Sequence, residues 1–311
     1  MADAVPPPYL QEVSEGIFVY VQPDGSWFLN NAGFIVGSES VVAIDTVGTE
    51  KRAHAFREAV AKTSPHPVQA LINTHAHGDH THGNFAFWPQ TAVIGHEGAR
   101  REILHSNAPQ GVAERFPTAD FGQFRHVPPM VTFTDRLTVY ADDLEVQLVH
   151  FGPAHTTNDV IAWIPERRVL FTGDLVFNGG TPFAMAGSVL GWLDVIPQLR
   201  AFDADVVVPG HGPVCGAGAF DAVEAYLTWV AGLARRGREA GSAPLEVARS
   251  VDLGEFSGLT DPERLAGNLH RAYADLEAGE RGEARGGRID AATAFEDMIA
   301  LNGGKPLRSH A

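Results

Sequence analysis

The sequence Thr74-His75-Ala76-His77-Gly78-Asp79-His80-Thr81-His82-Gly83-Asn84 contains four histidines and one aspartate within eight residues. The apolar run Ala70-Leu71-Ile72 precedes it and is typical of a buried strand. Imidazole nitrogens and carboxylate oxygens are ligands that zinc prefers, and here they gather at one strand end. A His-rich surface loop is the alternative, but so dense a group of ligands directly after an apolar strand favours a metal site.

The spacing within this stretch predicts two metal positions. His75 and His77 are two residues apart, so an extended backbone directs both imidazoles to the same face. Gly78 permits a turn, which carries Asp79 and His80 to a neighbouring point. Two sets of ligands therefore aim at two adjacent positions.

Three further strand-like runs, within residues 144–148, 169–171 and 206–208, end in glycine-containing turns. Each turn carries one potential ligand, and catalytic residues on loops at several strand ends are how an α/β enzyme builds its site. The turns are Gly152-Pro153-Ala154-His155-Thr156, Thr172-Gly173-Asp174 and Pro209-Gly210-His211-Gly212. The predicted ligands are His75, His77, Asp79, His80, His155, Asp174 and His211.

This pattern resembles the metallo-β-lactamase superfamily over about residues 15–235. Its five motifs occur in order, and they are Asp45 after Val41-Val42-Ala43-Ile44, the His-x-His-x-Asp-His run, His155, Asp174 and His211. The resemblance implies an α/β protein, an αβ/βα four-layer sandwich with a C-terminal helical extension. It also implies a dinuclear site at the shared edge of two sheets. Asp45 would support the metal loop through hydrogen bonds, with a plain turn aspartate as the alternative.

The resemblance assigns each ligand to one of two Zn²⁺ ions, with iron or manganese as other metals. His75, His77 and His155 would hold the first ion. Asp79, His80 and His211 would hold the second, with Asp174 bridging. This set resembles that of the glyoxalase II type. True β-lactamases of the family usually lack the bridging aspartate or use a cysteine ligand, so Asp174 argues against antibiotic hydrolysis.

Composition limits the function classes. The chain has 311 residues, 44% of them hydrophobic, with a net charge of −15 and a single cysteine. The acidic surface disfavours nucleic acid and an anionic membrane as partners. Without a run of membrane-spanning length, a signal-peptide pattern or cysteine pairs, we expect a cytoplasmic protein. Cys215 lies four residues after His211, and we expect it to be buried and inert.

We expect a loose, Pro-rich arm over residues 1–14, the metal-binding domain over 15–219 and a helical extension over 220–311. Helical periodicity or composition predicts helices at 50–63, 192–202, 220–233, 265–276 and 290–301. Pro197 must lie in the first turn of its helix or kink it. The extension would either form a homodimer interface or roof the pocket.

Two segments are candidates for the substrate pocket. Residues 105–130 are rich in Phe and Pro with little periodicity, which predicts a pocket wall, with a packing clamp or subunit interface as the alternative. Residues 175–191 follow Asp174 directly, and Phe177, Phe183 and Met185 would line an apolar pocket unless they form a buried core turn. His82 and His96 are interpreted as structural histidines.

These features predict a metal-dependent hydrolase in which a metal-generated hydroxide, oriented by Asp79, attacks an apolar acyl thioester or ester. Segments 152–159, 171–191, 209–216 and 252–272 resemble an actinomycete branch that includes aromatic-polyketide thioesterase/cyclases. That resemblance implies an acyl carrier protein as a partner, for which Arg235, Arg236 and Arg238 are a candidate patch, with a solvated helix face as the alternative. Other hypotheses are a lactonase or glyoxalase II-like thioesterase on a small substrate, a mononuclear iron sulfur dioxygenase, and a non-catalytic zinc scaffold.

Overall fold

Two β-sheets packed face to face form the centre of the molecule in a computed structural model, which describes residues 5–108 and 110–311. The seven strands of the first sheet are hydrogen-bonded in chain order: β1 (Tyr9–Ser14), β2 (Ile17–Val21), β3 (Ala32–Val36), β4 (Val41–Ile44), β5 (Val68–Ile72), β6 (Ala92–His96) and β7 (Val131–Phe133). The second sheet has the order β12-β11-β10-β9-β8 and is formed by β8 (Arg136–Ala141), β9 (Leu144–Phe151), β10 (Asp159–Ile164), β11 (Val169–Phe177) and β12 (Val206–His211).

The apolar alternation of the strands produces the core between the sheets. Val19, Ile35 and Ile44 of the first sheet pack against Leu148 and Phe171 of the second, and all are buried. Strand β11 is buried along all nine residues, which is why its sequence is a continuous apolar run rather than an alternating one. Strand β11, which carries Asp174, is thus packed on both faces.

Helices cover the outer faces of both sheets. They are α1 (Glu50–Thr63), α2 (Gly78–Thr81), α3 (Glu97–His105), α4 (Gln110–Arg115), α5 (Val189–Arg200), α6 (Ala219–Glu239), α7 (Pro244–Ser250), α8 (Arg264–Arg281) and α9 (Ala291–Leu301). Helix α1 buries Ala53, Phe56 and Val60 against the first sheet. Helices α5, α6 and α8 share a core with β11 on the other side. The order helix, sheet, sheet, helix confirms the predicted four-layer sandwich.

The N-terminal segment differs from the prediction. Residues 1–4 lie outside the described part of the chain, and Tyr9–Ser14 form the edge strand β1 rather than part of a loose arm. Tyr9 pairs with Val21 and Ser14 with Ile17 in an antiparallel ladder. The prolines at 6–8 led to the prediction of a loose arm. The residues that follow them form a strand because they hydrogen-bond to the edge of the first sheet.

The C-terminal helices differ in detail from the prediction. Helix α5 begins at Val189 with Ser188 as its N-cap, so Pro197 lies well inside the helix rather than in its first turn. Helices α6, α8 and α9 confirm the periodic runs, and α7 was not predicted. Phe220, Tyr226, Leu265 and Leu269 of the extension belong to the same core as Trp192. No helix of the described residues combines the length and apolar character needed to cross a membrane.

Candidate metal centre

The seven predicted ligands come together at one edge of the sandwich. His75 and His77 lie in the loop after β5, Asp79 and His80 in α2, and His155 between β9 and β10. Asp174 lies within β11, and His211 is the last residue of β12. They form two groups, which we call the first cluster (His75, His77, His155 and Asp174) and the second cluster (Asp79, His80 and His211).

Asp174 lies between the two clusters. Its Oδ2 is 3.2 Å from His155 Nε2 in the first cluster and 3.4 Å from His211 Nε2 in the second. Its Oδ1 is 3.0 Å from His80 Nε2. A carboxylate with one oxygen close to both clusters has the position that a bridging ligand requires.

The inward-facing atoms of the clusters match the needs of a cation. His75 Nε2 is buried and lacks a hydrogen-bond partner among the described residues, and His80 Nε2 and Asp174 Oδ1 lie 3.0 Å apart without the geometry of a hydrogen bond. His155 Nε2 and His77 Nδ1 face each other at 2.8 Å. Buried polar atoms normally find partners, so converging lone pairs without donors fit a divalent metal ion.

The outer nitrogens of the imidazoles are bound to the protein. His80 Nδ1 lies 2.8 Å from Asp45 Oδ2, and His211 Nδ1 lies 3.0 Å from the Gly25 carbonyl. His155 Nδ1 bonds the Phe183 carbonyl. A carbonyl oxygen can only accept, so Nδ1 carries a proton in His155 and His211, and their Nε2 atoms point inward. This arrangement fixes both the tautomer and the ring orientation of a metal ligand.

Asp45 connects the metal-binding loop to the first sheet. Besides bonding His80, it accepts hydrogen bonds from Thr74 N at 2.8 Å and Thr74 Oγ1 at 2.7 Å. This confirms the predicted supporting role over a plain turn. Asn158, which sequence reasoning missed, performs a similar task, because its Oδ1 accepts from Ala76 N at 3.0 Å and joins the His77 loop to the His155 loop.

The histidines determine the charge of the buried carboxyl groups. Burial opposes ionisation of Asp174, but His211 and His80 outweigh it and hold its pKa well below the usual range. Burial likewise opposes ionisation of Asp79, and His80 and His211 again keep its pKa low. Burial lowers the pKa of His155 to about 3, so this imidazole is neutral. Burial opposes protonation of His211, but Asp174 and Asp79 outweigh it and raise its pKa to about 9. The carboxylates and His155 are thus in the protonation states that metal binding needs, whereas a metal ion would displace a proton from His211.

Two glycines permit the close approach of these loops. A Cβ on Gly25, which has φ +82°, would lie 2.6 Å from the Gly212 nitrogen, so only glycine lets this turn reach the loop of His211. A Cβ on Gly78 would lie 2.2 Å from the His82 ring. Gly78 is therefore required at the start of α2 because a side chain there would collide with the His82 ring, and not only because glycine permits a turn.

An apolar cavity of about 200 Å³ opens onto both clusters. Phe177, Phe183 and Met185 line it, as the pocket prediction requires, and Phe177 stacks on His211 with ring centroids 5.1 Å apart. The predicted wall over 105–130 contributes Val112, Arg115 and Phe116; its Pro109 lies outside the described residues. The remaining lining residues outside the clusters are Trp27, Phe28, Gly78, Ala186, Arg264 and Phe295.

Sequence reasoning missed the members of this lining that come from distant parts of the chain. Trp27 and Phe28 follow the Pro23-Asp24-Gly25 turn, and this adjacent aromatic pair was a usable signal. Arg264 begins α8 and Phe295 lies in α9, so the C-terminal extension roofs the pocket. Neither position carries a local signal for a role at a site more than 50 residues away in sequence.

His82, His96 and Cys215 lie outside both clusters, as predicted. His82 Nδ1 lies 3.1 Å from the Gly48 carbonyl, and burial lowers its pKa to about 4. His96 accepts a hydrogen bond from Gly98 N and caps α3. Cys215 is partly buried, and burial raises the pKa of its thiol to about 11, which makes it unreactive.

The candidate carrier-protein patch lies on the last turns of α6. Arg235 and Arg236 are exposed, and Arg238 forms an ion pair of 2.9 Å with Glu280. The chain remains strongly acidic overall, with a net charge of −15.

The sequence matches the Metallo-beta-lactamase superfamily over residues 25–211, and the chain belongs to that superfamily. Its members are metal-dependent hydrolases, typically with zinc. A metallo-β-lactamase from Pontibacter korlensis has the same fold, with a TM-score of 0.58 and 20% identity over 71% of this chain and 99% of the other.

Two curated relatives are more similar in sequence. The 2,4-dinitroanisole O-demethylase subunit alpha of Nocardioides sp. (strain JS1661) is 32% identical over 182 residues, covering 57% of this chain and 51% of the relative. The linear primary-alkylsulfatase of Pseudomonas sp. (strain ATCC 19151) is 27% identical over 219 residues, covering 58% of this chain and 41% of the relative. The chain thus spans about half the length of these relatives.

Proposed function

We propose that this protein is a dinuclear metal-dependent hydrolase acting on a thioester or ester whose acyl group is apolar and contains about one ring. One observation carries the proposal: the two clusters open directly into a cavity whose other walls are mostly aromatic and aliphatic. A polar substrate would lose hydration in such a cavity without regaining hydrogen bonds.

Zinc is the metal that best fits the donors. Four donors of the first cluster and three of the second are imidazoles and carboxylates, a mixture that suits zinc, with iron or manganese as alternatives. A pair of bound cations would supply an activated water and polarise the scissile carbonyl. Two complete donor groups favour two ions over the single iron of a sulfur dioxygenase, and over a scaffold that would not need Asp174.

Asp79 and Asp174 would have different tasks. The Asp79 side chain is 14% exposed and lines the cavity, so we assign it the orientation of the attacking water. The Asp174 side chain is only 4% exposed and lies between both clusters, which suits a bridging ligand. The aromatic walls would exclude other water from the reacting carbonyl and hold the acyl group against the clusters.

The volume of the cavity limits the acyl group. About 200 Å³ is comparable with the ~150 Å³ apolar cavity that accommodates benzene. A single aromatic ring or a short alkyl chain fits this volume, whereas a polycyclic polyketide exceeds it. The acidic chain, with Arg238 already paired, also disfavours an acidic carrier protein, so we propose a free small-molecule substrate.

The names of the relatives support a substrate with an apolar body. One is named for 2,4-dinitroanisole, a one-ring aromatic ether, and the other for linear primary alkyl sulfates. The first name favours a second candidate function, hydrolysis of an activated aryl methyl ether to a phenol and methanol. The same cavity could hold that ring, and the same activated water would supply the hydroxyl group.

A substrate panel tests both functions. Protein stripped with chelator and reloaded with zinc, iron or manganese is offered S-methyl thiobenzoate, an S-methyl thioacetate control, a β-lactam and 2,4-dinitroanisole. We expect metal-dependent release of thiol from the benzoyl thioester with two ions bound per chain. Release of dinitrophenolate without thioesterase activity would favour the second candidate, and preferred cleavage of the β-lactam or acetyl thioester would contradict both.

A further inference from the structure

The cavity contains two guanidinium groups among its otherwise apolar walls, and they differ in their partners. Arg264 is buried, donates to the Thr181 carbonyl at 2.9 Å and pairs with Asp261 at 2.9 Å. Its guanidinium also packs over the Trp27 ring at 4.0 Å. The charge of Arg264 is therefore already paired with a carboxylate of the protein, although its buried Nε lacks a hydrogen-bond partner among the described residues.

Arg115 has a different environment at the exposed end of the cavity. It is the last residue of α4 and packs over the Phe295 ring of α9, with Cζ 4.1 Å from the centroid. Within residues 5–108 and 110–311, no carboxylate forms an ion pair with it. Stacking uses the face of a guanidinium, while its donors lie in the plane and remain available.

The position of Arg115 is fixed by its neighbour. Phe116 is buried and packs edge-to-face on Phe28, with ring centroids 5.1 Å apart, and its nitrogen donates to the Val112 carbonyl at 3.0 Å. The backbone next to Arg115 is therefore anchored to the cavity wall. Because Arg115 is held between this anchor and Phe295, less side-chain entropy is lost when an anion binds to it than would be lost by a freely rotating side chain.

We infer that Arg115 is a specificity residue and that the substrate carries an anionic group, such as a carboxylate, on the part of its apolar body remote from the scissile bond. The inference rests on the proposed function and names its substrate class. Residues of both metal clusters and the exposed Arg115 line the same cavity of about 200 Å³, so a one-ring substrate there lies close to both. The guanidinium fork binds a carboxylate in two parallel hydrogen bonds.

The test uses three thioesters that differ only at the para position: S-methyl thiobenzoate, its 4-carboxy derivative and its uncharged 4-carbamoyl derivative. The quantity measured is the ratio of kcat/KM for the 4-carboxy to the 4-carbamoyl compound, with metal-loaded protein. We expect Arg115→Gln to lower this ratio about tenfold, as for loss of one charged hydrogen-bonded pair. Arg115→Lys should retain part of the preference, because it keeps the charge without the fork.

Arg125→Gln is the matched control. Arg125 is also an exposed arginine over an aromatic ring, Trp88 at 5.7 Å, but it does not line the cavity. We expect its ratio to equal that of the wild type. The wild-type preference should also weaken with added salt, which screens the pair.

The role of Arg115 and the proposed function can be refuted separately. If the metal-loaded wild type hydrolyses these thioesters but Arg115→Gln leaves the ratio unchanged, the role of Arg115 is wrong and the proposed function stands. If no thioester is hydrolysed with any metal, the proposed function is wrong and the inference falls with it.

Discussion

Asp79 is the more exposed of the two carboxylates at the clusters, and its proposed task rests on this position. Its Oδ2 lies 3.2 Å from His211 Nε2, and its side chain borders the cavity. Asp174, by contrast, is enclosed by imidazoles of both clusters. At the scale of single residues, this difference in exposure is the basis for proposing that Asp79 orients the attacking water and that Asp174 bridges the metals.

Asp79→Asn should lower turnover at least ~100-fold, because the amide cannot hold and orient the attacking water as a carboxylate does. The measurement is kcat on the best thioester, together with bound metal and the circular dichroism of the folded protein. Asp143→Asn, at an exposed position of the β8–β9 hairpin, is the control and should behave as wild type. Wild-type turnover in Asp79→Asn would remove Asp79 from the mechanism.

Gly210 is a second residue on which the site depends. A Cβ there would lie 1.9 Å from Asp174 Oδ1 and 2.7 Å from the Gly173 carbonyl carbon, and that backbone cannot move aside easily. Gly210→Ala should therefore displace Asp174, reduce bound zinc and lower the free energy of unfolding by about 1–3 kcal/mol. Gly216→Ala, which meets no atom within 4 Å, should leave both unchanged. Equal zinc content and stability in the two variants would contradict this prediction.

At the scale of elements, helix α8 holds the segment that follows β11. Asn268 accepts from Ala184 N at 2.8 Å and donates to the Pro182 carbonyl at 2.7 Å, and Arg271 donates to the Met185 carbonyl. The Phe183 carbonyl between these anchors in turn bonds His155. The C-terminal extension therefore positions both the pocket lining and the first cluster.

Phe183→Ala tests the apolar pocket. The ring is buried and contacts Trp27 edge-to-face at 5.1 Å, and its contact with an aromatic acyl group could contribute on the order of 1.5–3 kcal/mol. We expect kcat/KM for S-methyl thiobenzoate to fall about tenfold or more, and that for S-methyl thioacetate to fall much less. Phe202→Ala, which removes a ring outside the cavity, is the control. Equal losses on both substrates would mean that Phe183 only packs the core.

At the scale of the whole molecule, the metal centre lies where the two sheets meet, beside hydrogen bonds such as that from Ala76 N to Asn158 Oδ1. The ligands of the clusters lie on the loop that follows β5 of the first sheet and on β11 and β12 of the second sheet, among other positions. One core contains residues as far apart as Trp27 and Leu307. Unpartnered buried nitrogens in the clusters oppose folding until a cation binds them.

Adding zinc to chelator-stripped protein should therefore raise its Tm. At a free zinc concentration 100 times Kd, the gain in unfolding free energy is about 2.7 kcal/mol, which corresponds to about 5 °C for a chain of this size. Calorimetry with and without zinc gives the shift, and magnesium, which prefers oxygen ligands, should give little. An unchanged Tm with zinc bound would contradict the stabilising role.

The sequence by itself determined the local parts of this protein. The run from His75 to His80, the turns at His155, Asp174 and His211, and the helix at 50–63 each follow from period, spacing or turn chemistry within a few residues. Such patterns predict the local structure correctly because they indicate which face of each helix or strand is buried.

Only the tertiary structure decided which distant residues share the cavity. Trp27 Nε1 donates to Glu263 at 2.7 Å across 236 residues, and Arg264, Phe295 and Arg115 reach the same space from three helices. The edge strand β1 likewise depends on a partner strand rather than on its own composition. These contacts join segments that are far apart in the sequence, so no hydrophobic periodicity or turn motif within either segment predicts them. Only the packing of the four layers brings the segments together.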